Sequence, residues 1–138
     1  MSRGLRGRDL RGRGIEIREA HFPGRAPIDA YGNGGFRFAD MSHRGSLMCL
    51  PSGIYGWNAA EPADLTENAF DALFAEAGDI EVCLIGSGLD LVPVRKALRE
   101  RFRGAFIQAD SMNTGAAVRT YNVMLAENRA VAAALLAV

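Results

Sequence analysis

Ile80-Glu81-Val82-Cys83-Leu84-Ile85-Gly86-Ser87-Gly88 is a short apolar run that stops on a glycine-rich turn. A run of this length, bounded by turn residues, reads as a buried strand over 80–85. Downstream, Pro93 suits the first turn of a helix, where its missing N–H costs nothing. Val94, Ala97, Leu98, Arg101 and Phe102 fall on one side of that helix, and Gly104 ends it. Ala105–Ala109 reads as a second strand. Asn113 or Thr114 then caps a helix that carries Ala117, Tyr121, Met124 and Leu125 inward. Val131–Val138 closes the chain as a very apolar strand. From Ile80 onward the order is strand–helix–strand–helix–strand, the alternation of a parallel or mixed sheet covered by helices. The pattern leaves the direction of the last strand open.

Working back toward the start, Thr66 caps a helix with Phe70, Leu73, Phe74 and Ala77 on one face and Gly78 as its stop. Before that the rhythm is different. Tyr31-Gly32-Asn33-Gly34-Gly35 is dense turn chemistry, and Phe36, Arg37 and Phe38 alternate like a half-buried strand. Leu47–Leu50, stopped by Pro51, and Ile54–Trp57 are two further short strands. Links this short cannot hold crossover helices, so these pieces form an antiparallel β-layer. Trp57 and Tyr121 read as core rings.

The 138 residues suit one domain, and 49% hydrophobic content with 23% charge is that of a globular chain. The formal charge is zero but unevenly placed: residues 1–14 hold Arg3, Arg6, Arg8, Arg11 and Arg13 against Asp9. Eleven basic and fifteen acidic groups remain beyond them, a net of −4, which is the wrong sign for a body that grips nucleic acid. Gly4, Gly7, Gly12 and Gly14 weaken any amphipathic targeting helix, so residues 1–14 read as a flexible basic tail and 15–138 as the domain. No apolar run reaches the roughly 20 residues of a membrane span. Cys49 and Cys83 sit apart in apolar runs, and His21 and His43 have no ligand spacing, so neither a disulfide frame nor a metal site is expected. No cofactor is expected either, and a reduced cytoplasm is the default compartment.

Gly86-Ser87-Gly88 invites sharper readings, and each lacks a part. A dinucleotide fingerprint needs glycine where Leu91 stands, a P-loop needs GK[ST], and a nucleophile elbow needs its glycines two residues either side of the serine. What remains is geometric. Gly86–Asp90 and Asp110–Thr114 each follow a strand and precede a helix, so both open at one edge of the sheet. Ser87, Asn113 and Thr114 would supply donors there, Asp90 and Asp110 a pair of carboxylates, and a small anion or carboxylate is the expected ligand class. Arg119, among Ala116, Ala117, Thr120 and Tyr121, is expected to be buried with a partner and completes the candidate crevice of Gly86, Ser87, Gly88, Asp90, Asp110, Asn113, Thr114 and Arg119. Arg95, Lys96, Arg99 and Arg103 read as the solvated face of their helix.

A wider pattern runs through Ile28-Asp29-Ala30-Tyr31, Gly35-Phe36, Gly45-Ser46, Pro51, Trp57, Ile80-Glu81, Ile85-Gly86-Ser87-Gly88, Pro93 and Met112-Asn113-Thr114. It ends with Ala116–Asn122 and Glu127–Leu135. In order and spacing this resembles the family that includes mitochondrial complex I assembly factor three, an adipogenesis-associated animal protein and many bacterial and archaeal proteins. The resemblance implies a single α/β domain in three layers, with a mixed central sheet (βαβαβ in the C-terminal half) and an extra N-terminal antiparallel β-layer. It also implies a non-enzymatic interaction role, with protein partners among respiratory complex subunits, peripheral to the inner membrane. The alternative is a small-molecule or anion binder, or an enzyme, using the loops after 80–85 and 105–109. Gly86-Ser87-Gly88 stands where many members have Gly-Thr-Gly, Asn113 replaces a common Asp and Val118 a common Cys, which weakens any catalytic reading of those positions. Lys96 is the sole lysine in an Arg- and Ala-rich chain, the composition of a GC-rich bacterial genome.

Residues 1–14 hold too few apolar groups to offset their own ordering entropy. Deleting them should leave the thermal unfolding midpoint in place. A fall of more than a few degrees, equivalent to about 1 kcal/mol, would mean that the segment is packed.

Overall fold

A computed structural model describes residues 17–138. Its strands are β1 (Ile17–Phe22), β2 (Ala30–Gly32), β3 (Gly35–Phe38), β4 (Met41–Arg44), β5 (Ser46–Leu50), β6 (Gly53–Trp57), β7 (Val82–Gly86), β8 (Gln108–Met112) and β9 (Val131–Leu135). The helices are α1 (Asp71–Phe74), α2 (Lys96–Gly104) and α3 (Thr114–Ala126). Six strands form one mixed sheet in the order β1-β6-β5-β9-β7-β8, and β2-β3-β4 form a separate antiparallel sheet. The last strand, β9, runs parallel to β7 and antiparallel to β5. The expected tail, 1–14, lies outside the described residues.

Side chains alternate between the two faces of the large sheet, and each face has its own core. On one face Met48, Cys83, Ile85, Ala132 and Ala134 pack under α2 and the segment from Ala59 to Ile80. On the other, Leu47, Cys49, Leu84, Ala133 and Leu135 pack under α3 and the small sheet, which contributes Phe36 and Phe38. The small sheet therefore shares a layer with α3. Three layers result, with the large sheet in the middle.

Several elements differ from the sequence expectation. The strands at 47–50 and 54–57 belong to the large sheet, because β5 pairs with β9 and carries β6 with it. The separate layer is made instead by β2, β3 and β4, whose tight hairpin places Asn33 at φ 52° and Gly34 at φ 79°. The helix expected after Thr66 breaks into a 3₁₀ turn (Glu67–Phe70), α1 and a second 3₁₀ turn (Ala77–Asp79). Thr66 still caps it, accepting from the Ala69 amide at 3.3 Å. The break lets Phe70 and Leu73 both reach full burial. Phe70 meets Trp57 edge-on at 5.4 Å and Phe102 at 5.6 Å, while Phe74 tilts against Phe102 at 4.8 Å.

The other shifts follow from local bonds. Helix α2 starts at Lys96, not Pro93, because the Val92 amide donates to Ser87 Oγ and the Ser111 hydroxyl donates to the Val92 carbonyl, fixing this segment outside the helix. Strand β8 starts later than Ala105, since Phe106 turns the chain at φ 60° with 91% of its surface exposed. Strand β7 begins at Val82, after the 3₁₀ turn Ala77–Asp79 and its extended cap residue Ile80.

Trp57 and Tyr121 are 3% and 1% exposed, one in each core. Ala132, Ala133 and Ala134 have no exposed surface. In urea unfolding, Trp57→Ala should cost about 3–5 kcal/mol. Ala133→Leu should cost about 1–3 kcal/mol by overpacking. A near-neutral Trp57→Ala would place that ring outside the core.

Candidate functional site

Strands β7 and β8 are adjacent and parallel, yet the chain leaves them on opposite faces: β7 leads to α2 and β8 to α3. Such a reversal is where open α/β sheets place ligands, outside the carboxyl ends of the strands. Gly86, Ser87, Gly88, Asn113 and Thr114 meet at this point. Gly86 must be small here: a Cβ would lie 3.0 Å from Thr114 Cα and 3.1 Å from Leu135 Cδ2.

Hydrogen bonds stitch the two loops together. The Ser87 amide donates to the Met112 carbonyl at 2.9 Å, and the Thr114 amide to the Gly88 carbonyl at 2.8 Å. Thr114 Oγ1 accepts from the Gly88 amide at 3.1 Å and donates to the Leu136 carbonyl at 2.7 Å. The Leu136 amide in turn donates to the Gly86 carbonyl at 2.9 Å. Ser87 Oγ lies 2.7 Å from the Asp90 carbonyl and 3.1 Å from that of Met112, and accepts from the Val92 amide at 2.9 Å. Asn113 caps α3 through the Ala116 amide at 2.8 Å. Ser87 and Thr114 are both buried. The Ser87 and Thr114 hydroxyls and the Ser87, Gly88 and Thr114 amides that the crevice would offer an anion are thus bonded to acceptors within the chain.

Two expected members lie elsewhere. Asp110 is in the middle of β8, opposite Leu84, because that strand starts late, and its carboxylate accepts from Gln108 Nε2 at 3.3 Å. It does not pair with Asp90, which is exposed in the loop. Arg119 is exposed, not buried, since α3 turns Ala117, Val118 and Tyr121 to the sheet instead. Its guanidinium reaches the Tyr31 hydroxyl at 3.4 Å. Tyr31 crosses the start of α3 so closely that a Cβ on Gly115 would lie 2.4 Å from its hydroxyl oxygen. A glycine inside a helix was the available signal for this approach.

The thiols offer no nucleophile. Burial pushes the Cys49 thiol up to about 12, against a side-chain hydrogen bond with Tyr121. Burial likewise raises Cys83, with the Cys49 and Asp110 charges adding to it, so both are protonated at neutral pH. Tyr121 is also raised, chiefly by burial.

Two features of this region were missed in the sequence. Leu89 and Leu91, in the loop after β7, are 82% and 58% exposed. On the α2 side lies a cavity of about 160 Å³ between the 62–65 turn and the 92–95 segment. Loop apolar residues follow no period, and a cavity depends on contacts distant in sequence.

The layers and the switch point define a small mixed α/β fold shared with solved structures. The pattern of a protein family of unknown function (DUF498/DUF598) matches residues 28–136, and the chain belongs to that family. A crystal structure from Bartonella henselae, described as an outer membrane protein, superposes with a TM-score of 0.82 at 58% identity, covering 85% of this chain and 98% of that one. An uncharacterized protein of Rhodobacter capsulatus is 40% identical over 119 residues, 86% of this chain and 90% of its own. The mouse NADH dehydrogenase [ubiquinone] 1 alpha subcomplex assembly factor 3 is 26% identical over 122 residues, 88% of this chain but 66% of that protein. The chain thus spans just under two thirds of this curated assembly factor.

Thr114 is the knot of the site, since one hydroxyl joins three segments. Thr114→Val should lower stability by about 1–3 kcal/mol in denaturant unfolding, with Thr114→Ser costing less. A near-neutral Thr114→Val would remove the hydroxyl from this role.

Proposed function

We propose that the chain is a non-enzymatic interaction module that aids assembly of a respiratory NADH dehydrogenase, working on the cytoplasmic side and meeting the membrane through a protein partner. The relatives named as assembly factors support this reading, and no helix among the described residues is long and apolar enough to cross a membrane. The observation that carries it is the loop after β7. Ser87 pins that loop through its hydroxyl, and the loop still turns Leu89 and Leu91 outward. A rigid loop with two exposed leucines loses little entropy on docking and buries apolar surface when it does. The hydroxyls nearby are committed to backbone groups and the thiols are buried, which favours contact over catalysis.

The test is genetic and biochemical. Deleting the gene in the native host should reduce NADH:ubiquinone oxidoreductase activity of the membranes and the amount of assembled complex on native gels. The intact gene should restore both. Replacing Leu89 and Leu91 together by Ser should fail to restore them while leaving the unfolding midpoint of the purified chain unchanged. Membranes with normal activity and normal complex content after deletion would overturn the assembly role.

A further inference from the structure

The cavity on the α2 side lies beside the carboxyl-terminal residues of β7 and β8, next to the ligand position of an open α/β sheet. Ile85 and Ser111, neighbours in register on those strands, line it together with Leu65, Val94, Leu98 and Arg95. The walls are apolar and firm, with Ile85 and Leu98 1% exposed and Leu65 7%. Its volume of about 160 Å³ matches a cavity that accepts a ligand of about six non-hydrogen atoms, as an apolar cavity of roughly this size takes up benzene.

One end of the cavity is cationic. Arg95 donates to the Ala63 carbonyl at 2.9 Å and has no carboxylate partner among the described residues. The nearest acid in sequence on the facing turn, Asp64, is engaged elsewhere: its carboxylate accepts from the Ala60 and Glu61 amides at 2.9 and 3.2 Å. Arg95 is also the N-cap of α2, with no side-chain cap and no acidic residue in the first turn. Leu98, which lines the cavity, is within that uncapped first turn, whose amides have no intrahelical acceptor. An apolar chamber of this size, ending on a guanidinium and an uncapped helix start, fits an aliphatic tail carrying one carboxylate.

We propose that this cavity binds a short aliphatic monocarboxylate of about four or five carbons, with its chain against Ile85, Leu65 and Leu98 and its carboxylate on Arg95 and the first turn of α2. The cavity touches the stitched loops at Val92 but is not lined by Leu89 or Leu91, so it stands or falls apart from the assembly role.

The probe is butanoate, titrated into isotopically labelled full-length chain while amide shifts are followed, with acetate and 1-butanol as comparisons. Butanoate should move the amides around the cavity and saturate them in the millimolar range. Acetate, two CH₂ groups shorter, should bind about fifteenfold more weakly, since each buried CH₂ is worth roughly a factor of four. Arg95→Gln should weaken butanoate about tenfold and leave 1-butanol unchanged, matching the loss of a charged hydrogen-bond donor. Val94→Phe, which fills the chamber, should abolish both. If Val94→Phe does not fold, the exposed Arg95 variant decides the matter. Shifts confined to other residues, no shift at tens of millimolar, or equal affinity for butanoate and 1-butanol would each overturn the proposal. Equal affinity for acetate and butanoate would reduce the site to an unspecific anion contact and overturn it as well.

Discussion

Strand β9 has no free edge and no free face, and the other elements are arranged by that fact. Ala133 pairs with Cys49 on one side and Leu84 on the other. Its neighbours Ala132 and Ala134 point to the opposite core. Side chains this small let α3 come close to the sheet, and that approach brings Thr114 within reach of the Leu136 carbonyl. The same approach leaves no room for a Cβ on Gly86. A strand buried on both faces reads as a continuous apolar run, and Val131–Leu135 does. Its direction followed from tertiary pairing, which periodicity does not encode.

The C-terminal order of strands and helices was legible because each element has its own punctuation. Gly86 ends a strand, Asn113 caps a helix, and Gly104 closes another. Boundaries moved where a distant side chain overrode local preference. Pro93 has the right chemistry for a helix start, yet hydrogen bonds from Ser87 and Ser111 hold the adjacent Val92 outside the helix. Among the candidate site residues, the loop members that meet at the switch point could be placed from strand ends alone. Asp110 and Arg119 could not: one depended on where β8 begins, the other on the rotation of α3. The cavity needed the 62–65 turn to fold against the 92–95 segment, a contact that leaves no local trace.

The switch point also shows how position and availability can separate. Topology creates a place for a ligand between β7 and β8, and the chain fills it with its own hydroxyls and amides. The bonds that join the loops hold them rigid, and rigidity suits a surface presented to a partner. The space left over lies on the α2 side, where the walls are mostly apolar and Arg95 and Ser111 are the polar residues among them.

Trp57 is the chain's one tryptophan, and its indole N–H has no hydrogen-bond partner although it is buried. An indole held against Phe70 without an acceptor has the surroundings that shift emission to shorter wavelength. The fluorophore belongs wholly to the α2-side core, whereas Tyr121, Phe36 and Phe38 lie beyond the sheet. Intrinsic emission from this protein is therefore a one-sided spectroscopic probe. It registers water reaching the aromatic cluster beneath α2 and is blind to loosening of the small sheet until the strands between the two cores part.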